Sequence, residues 1–382
     1  MTPIPPLRLA VQVQWPLLVM NLPIEAGPLT LLPTPAGVEA RDEHGIRWSR
    51  RLAAPRALFR GEALTFPDAN TIHLVDPKSG EVTQRISGPP GLSVDVEDDC
   101  FVAATYSGGS QLYLVRGNSP ALAWKWIAAK GEVVVCGPSL SSSRVHAALS
   151  NGVVVALKRE TGEEVWRNSI TDLKHTEWGR EEDGCVIDKS YVFDQTALFS
   201  VEGGWTVGFR AVSGEREWSY RGPGRTQAGF RQGGLYHALM GQTYVVLDPR
   251  SGKELRRVNL ETSPSVGHRT MLSAPFLVTD THIWTGSAKG FIYAFTHEGE
   301  YVWRFRPKGG MSTSHAGSEF AIAGGKLYYS DCSRRVYGLE EAGRNAALVS
   351  RTRKKDMVDI RRTARPRRVR GGGEAKKGKE FS

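Results

Sequence analysis

One phrase recurs through this chain and constrains its fold more than any bulk property. Residues 154–168 read VVALKRETGEEVWRN: an apolar β-rich run, a polar turn ending in Gly, and a second strand carrying Trp. The phrase returns as VEARDEHGIRWSR (38–50), IHLVDPKSGEVTQRI (72–86), LYLVRGNSPALAWKW (112–126) and VGFRAVSGEREWSYR (207–221). It continues as YVVLDPRSGKELRRV (244–258), FIYAFTHEGEYVWRF (291–305) and VYGLEEAGRNAALVS (336–350). The turn glycines are Gly45, Gly80, Gly162, Gly214, Gly252, Gly299 and Gly343, with Ser119 and Pro120 replacing Gly in the third copy. They recur about every 43 residues, a spacing that suits four-stranded propeller blades.

The chemistry of the phrase agrees with that period. In DPKSGEV, ETGEEV and DPRSGKEL, Asp and Pro favour the turn and Gly takes the positive φ that other residues resist. Two further strand-like runs precede each copy. The clearest set is 274–280, 282–286, 291–296 and 300–305, four short strands bounded by turn residues. No helical periodicity of useful length occurs in 1–350. The expectation is an all-β domain over 1–350, an eight-bladed β-propeller of four-stranded antiparallel blades. Seven blades are the alternative, if the first copy and its upstream strands serve as closure. Residues 351–382 are expected to be a disordered basic tail.

Within this pattern Ala156, Gly162 and Trp166 follow the spacing of the tryptophan-docking motif. Gly208, Gly214 and Trp218 keep it with Gly in the first place, and Ala294, Gly299 and Trp303 keep it with a turn one residue shorter. On these residues the chain resembles the PQQ-like β-propeller repeat family, which includes quinoprotein alcohol dehydrogenases and the outer-membrane assembly factor BamB. The resemblance spans roughly residues 10–350. It is weak in copies two, six and eight, where Gln84, Arg256 and Ala347 stand in place of Trp. It implies that the recurring Trp residues pack blade against blade. Family quinoproteins carry a vicinal cysteine pair and a calcium-holding Glu/Asn/Asp set. This chain has no CysCys, and its acidic segment VDVEDDC (94–100) reads as solvated turn residues.

Other chemistry finds little support. The sequence holds no GxSxG elbow, no P-loop and no HExxH. Its four cysteines, Cys100, Cys136, Cys185 and Cys332, are scattered without a CxxC, as expected of small hydrophobes in a reducing compartment. No run of 18 apolar residues occurs, and 7–23 reads as a strand or two rather than a leader, so a cytoplasmic location is expected. No catalytic, cofactor-binding or metal-binding residue is expected.

Partner binding is the remaining class. The longest interval between successive repeat turns, Gly162 to Gly214, carries a surplus in SITDLKHTEWGREEDG (169–184). There Trp178 lies outside the docking pattern and, with Arg180, has the composition of an interface anchor. Packing of Trp178 onto its own blade is the competing reading. His268, Arg269 and His315 sit in polar inter-blade connections and join the candidate partner surface, with solvated loop histidines as the alternative. The tail holds 13 Lys/Arg against four Asp/Glu, whereas 1–350 is nearly balanced at 37 against 36. Arg353, Lys354, Lys355, Arg361, Arg362, Arg365, Arg367, Arg368 and Arg370 are its candidate polyanion-binding residues. Nucleic acid, anionic lipid and an acidic protein would each satisfy that charge. The expected function is a non-enzymatic scaffold for a protein partner, with the tail adding electrostatic attachment. The alternatives are a quinone- or ligand-binding propeller enzyme and a nucleic-acid-associated protein acting through the tail.

Overall fold

The computed structural model describes residues 3–14, 22–68, 70–89, 91, 93–97, 99–105, 111–117, 119, 121–177, 180–186, 190–260, 272–308, 311–313, 320–332 and 335–342. These residues form an eight-bladed propeller of four-stranded antiparallel sheets, and among them there is no α-helix. Blades 1 to 7 follow the chain at 24–50, 55–87, 93–127, 139–169, 191–221, 226–259 and 272–305. Blade 8 takes three strands from 321–341 and its fourth from Leu7–Gln14. That strand runs antiparallel to Arg335–Glu341, with Leu7 opposite Glu341 and Gln14 opposite Arg335. The two ends of the domain are thereby laced into one sheet, and the edge of Arg335–Glu341 that would otherwise stand open is paired. Gly343, Ala347 and the tail over 351–382 lie outside the described residues.

Alternation along each strand supplies the apolar faces that the blades bury against one another. Eight apolar clusters result, each shared by two neighbouring blades. The cluster joining blades 4 and 5 contains Val154, Trp166, Phe199 and Phe209. The one joining blade 8 to blade 1 contains Tyr328 and Leu32. A lone blade would leave such a face in water, so the ring is the unit of stability.

The turn glycines do what their chemistry requires. Gly214 has φ +77°, and a Cβ there would lie 2.6 Å from the Trp166 ring of the preceding blade. A second regularity sits next to the docking position. In blades 1, 2, 4, 5, 6 and 7 the pairing of strands three and four slips by one residue just before the turn. The skipped residue is turned outward, which explains the exposed Val165, Leu255 and Val302. Such a bulge re-aims the next side chain, here toward the following blade.

Candidate functional site

The docking residues come first, because they show which parts of the repeat serve assembly. The indole Nε1 of Trp48 donates to the carbonyl oxygen of Pro77 at 2.8 Å, and that of Trp124 to Arg159 at 2.8 Å. Trp166 donates to Ala211 at 3.0 Å and Trp218 to Pro249 at 3.1 Å. Each acceptor lies in the turn of the next blade. Where Trp is missing, another donor takes over. Gln84 Nε2 reaches the carbonyl of Ser119 at 3.0 Å, and Arg256 Nη2 that of His297 at 2.6 Å. Copies two and six, which deviate in sequence, therefore keep the joint.

The acidic segment 94–100 is also a joint, not a run of solvated turn residues. Arg159 of blade 4 donates to Glu97 at 2.7 Å and to Asp99 at 3.2 Å, and Asp95 accepts from the backbone N–H of Leu140 at 2.8 Å. Sequence reasoning missed this because the guanidinium comes from the neighbouring blade.

The surplus after blade 4 is the place where the described chain leaves the repeat. It forms a two-stranded hairpin, His175–Glu177 against Arg180–Glu182, with His175 directly opposite Glu182. Its base is firmly seated. Ile170 and Leu173 are buried in the cluster between blades 4 and 5. The Trp205 indole donates to the carbonyl of Lys174 at 3.1 Å, and Arg221 lies over that ring at 5.3 Å. Lys174 and Asp183 form an ion pair across the hairpin, and Arg216 pairs with Asp172 at 2.9 Å. His175 packs against the turn Glu202–Gly204 of blade 5, where Gly203, at φ +73°, has no Cβ to obstruct it.

This seating brings three side chains together. The ligand atoms of His175, Glu182 and Glu202 all lie within 4.8 Å of one another, and His175 Nε2 is 3.4 Å from Glu202 Oε2. His175 is buried, Glu202 half-buried and Glu182 exposed. The other carboxylate oxygen of Glu202 accepts from Arg225 Nη2 at 2.7 Å. Nearby, burial and the charge of Glu202 push the Cys185 thiol up, so it stays protonated at neutral pH. The sequence carried a signal for part of this: HTE and REE are short runs two residues apart, a spacing that in a hairpin sets His175 across from Glu182. Glu202 had none, since it arrives from the next blade.

Of the partner residues expected from sequence, Arg180 begins the second hairpin strand, and its side chain is outside the described residues. Trp178, His268, Arg269, His315 and the tail cations from Arg353 to Arg370 are outside them as well.

A ring of eight such blades, with a docking hydrogen bond at each joint from blade 1 to blade 7, invites comparison with known proteins. Residues 68–246 match the family model for the outer membrane protein assembly factor BamB. The matched stretch runs from blade 2 into the third strand of blade 6, which bears out the resemblance carried by the docking motif. The crystal structure of BamB from Moraxella catarrhalis is similar at TM-score 0.57 and 15% identity, over 87% of this chain and 99% of that one. A computationally designed protein, Ika8, is similar at TM-score 0.61 and 11% identity, over 86% and 98%. At these identities the likeness to the BamB and Ika8 structures establishes the fold alone. No curated protein matches the sequence.

Proposed function

We propose that the protein is a non-enzymatic propeller platform that binds a protein partner. The observation that carries this reading is the hairpin at 175–182, a rigidly seated departure from an otherwise repetitive ring. Glu181 and Glu182 stand exposed along it, with Asp183 exposed beside them. A repeat element serves the ring; an insertion with a fixed base serves something else. The match of 68–246 to a family model named for an assembly factor supports the same class of role. The basic tail adds electrostatic attachment, and a cytoplasmic location belongs to the same proposal, consistent with the buried thiols of Cys100 and Cys136.

The test is cross-linking of the full chain in cells that express it natively, compared with a variant in which residues 176–181 are replaced by Gly and Ser. Recovery of a defined partner by the wild type, lost in the variant at unchanged thermal stability, is the expected result. Equal recovery by both forms would remove the hairpin from the reading.

A further inference from the structure

We propose that His175, Glu182 and Glu202 form a site for a divalent metal ion of the zinc class, clamping the hairpin onto blade 5. The argument begins with spacing. His175 Nε2 and Glu202 Oε2 stand 3.4 Å apart, longer than the ordinary 2.7–3.2 Å of an N–H···O bond. Two ligands on a tetrahedral ion with bonds of about 2.0–2.1 Å are separated by about 3.4 Å, so the pair already has the edge of a coordination tetrahedron. Glu182 completes a third ligand within 4.8 Å of the others and comes from the opposite hairpin strand.

The ligand types narrow the ion. One imidazole with two carboxylates suits zinc and its first-row neighbours, whereas calcium and magnesium take oxygen ligands throughout. The surroundings fit as well. Arg225 holds Glu202 by Oε1 and leaves Oε2 turned toward His175, the kind of outer hydrogen bond that orients a ligating carboxylate. Three protein ligands leave a fourth position for water, and the exposed Glu182 gives an ion a path from solvent. The ligands come from two places: the hairpin supplies two and the turn of blade 5 supplies one, so binding ties the insertion to the ring. The inference shares the hairpin with the partner proposal but does not depend on any partner, and its test involves none.

The experiment is equilibrium dialysis of the full chain, stripped with chelator, against zinc ion alone, read by elemental analysis. His175→Gln and Glu182→Gln are run in parallel, with cobalt(II) absorption as a second readout. The expected result is one zinc equivalent in the wild type that is absent in H175Q. In E182Q, whose side chain is exposed and whose fold is unaffected, affinity falls roughly tenfold or more. The cobalt(II) bands weaken in the same order. No stoichiometric zinc in the wild type, or unchanged affinity in E182Q, would overturn the proposal.

Discussion

Arg256 in blade 6 donates to the carbonyl oxygen of His297 in blade 7 at 2.6 Å, the contact that Trp218 of blade 5 makes with Pro249 at 3.1 Å. A cation thus performs the polar half of a tryptophan's work. It also lies over the Tyr244 ring at 6.0 Å, which recovers some of the packing half. The bulge between Val246 and Leu247 aims Arg256 as the equivalent bulge aims Trp218. Position in the ladder, rather than side-chain type, sets the direction of the contact.

This division of labour predicts a ranking. Trp166 fills the cluster between blades 4 and 5 and donates a hydrogen bond, so Trp166→Ala should cost about 3–5 kcal/mol. Arg256→Ala gives up chiefly one charge-assisted bond near solvent and should cost about 1–2 kcal/mol. Urea unfolding of the two variants checks the order; an equal or reversed pair would show that the arginine joint carries packing not accounted for above.

Gly214→Ala should destabilise by more than Gly233→Ala. Both have positive φ, +77° and +57°, so both pay the backbone strain of an L side chain. Only Gly214 also meets an aromatic ring, with Trp166 2.6 Å from the new Cβ, whereas nothing lies within 4 Å at Gly233. The difference in thermal midpoint between the two variants isolates the overpacking contribution, about 1–3 kcal/mol.

Acid should weaken the fold through His146. Its ring is fully buried between blades 4 and 5, where Nε2 donates to the Ala211 carbonyl at 3.2 Å, the same oxygen that Trp166 uses. Burial holds its pKa down to about 4, and among the described residues the buried Nδ1 faces no hydrogen-bond partner for a second proton. Between pH 6.5 and 4 the unfolded chain therefore binds more protons than the folded one, and stability falls as pH drops through that window. The loss attributable to this group is about 3 kcal/mol by pH 4. Denaturant unfolding at pH 7.5, 6.5, 5.5 and 4.5 should show the decline, and His146→Gln should flatten it.

Removing residues 1–14 should open the ring. The strand Arg335–Glu341 would then present an unpaired edge, and the apolar Leu7, buried in the cluster between blades 7 and 8, would be lost. A lower thermal midpoint together with concentration-dependent association on size exclusion is the expected outcome. A monomer as stable as the full chain would mean that Leu7–Gln14 contributes pairing without closure.

The sequence by itself determined the period, the all-β class, the eight copies and the role of the docking tryptophans. These are local matters: a turn that needs positive φ writes Gly at Gly162 or Gly214, and strand alternation writes its own pattern. Tertiary structure decided what depends on residues brought from elsewhere. Leu7–Gln14 completes blade 8 because its hydrogen-bond partners lie more than 300 residues away, and nothing in an eight-residue strand names its neighbour. Gln84 and Arg256 looked like lapses in the motif, because their acceptors are backbone carbonyls, which every residue offers alike. Arg159 turned an acidic run into a joint from the blade beyond. His175 and Glu182 were half legible from the spacing of two short runs, but Glu202 reaches them only when blade 5 stacks on blade 4. Convergence of side chains from separate elements is a property of packing, and packing is settled only when the ring closes.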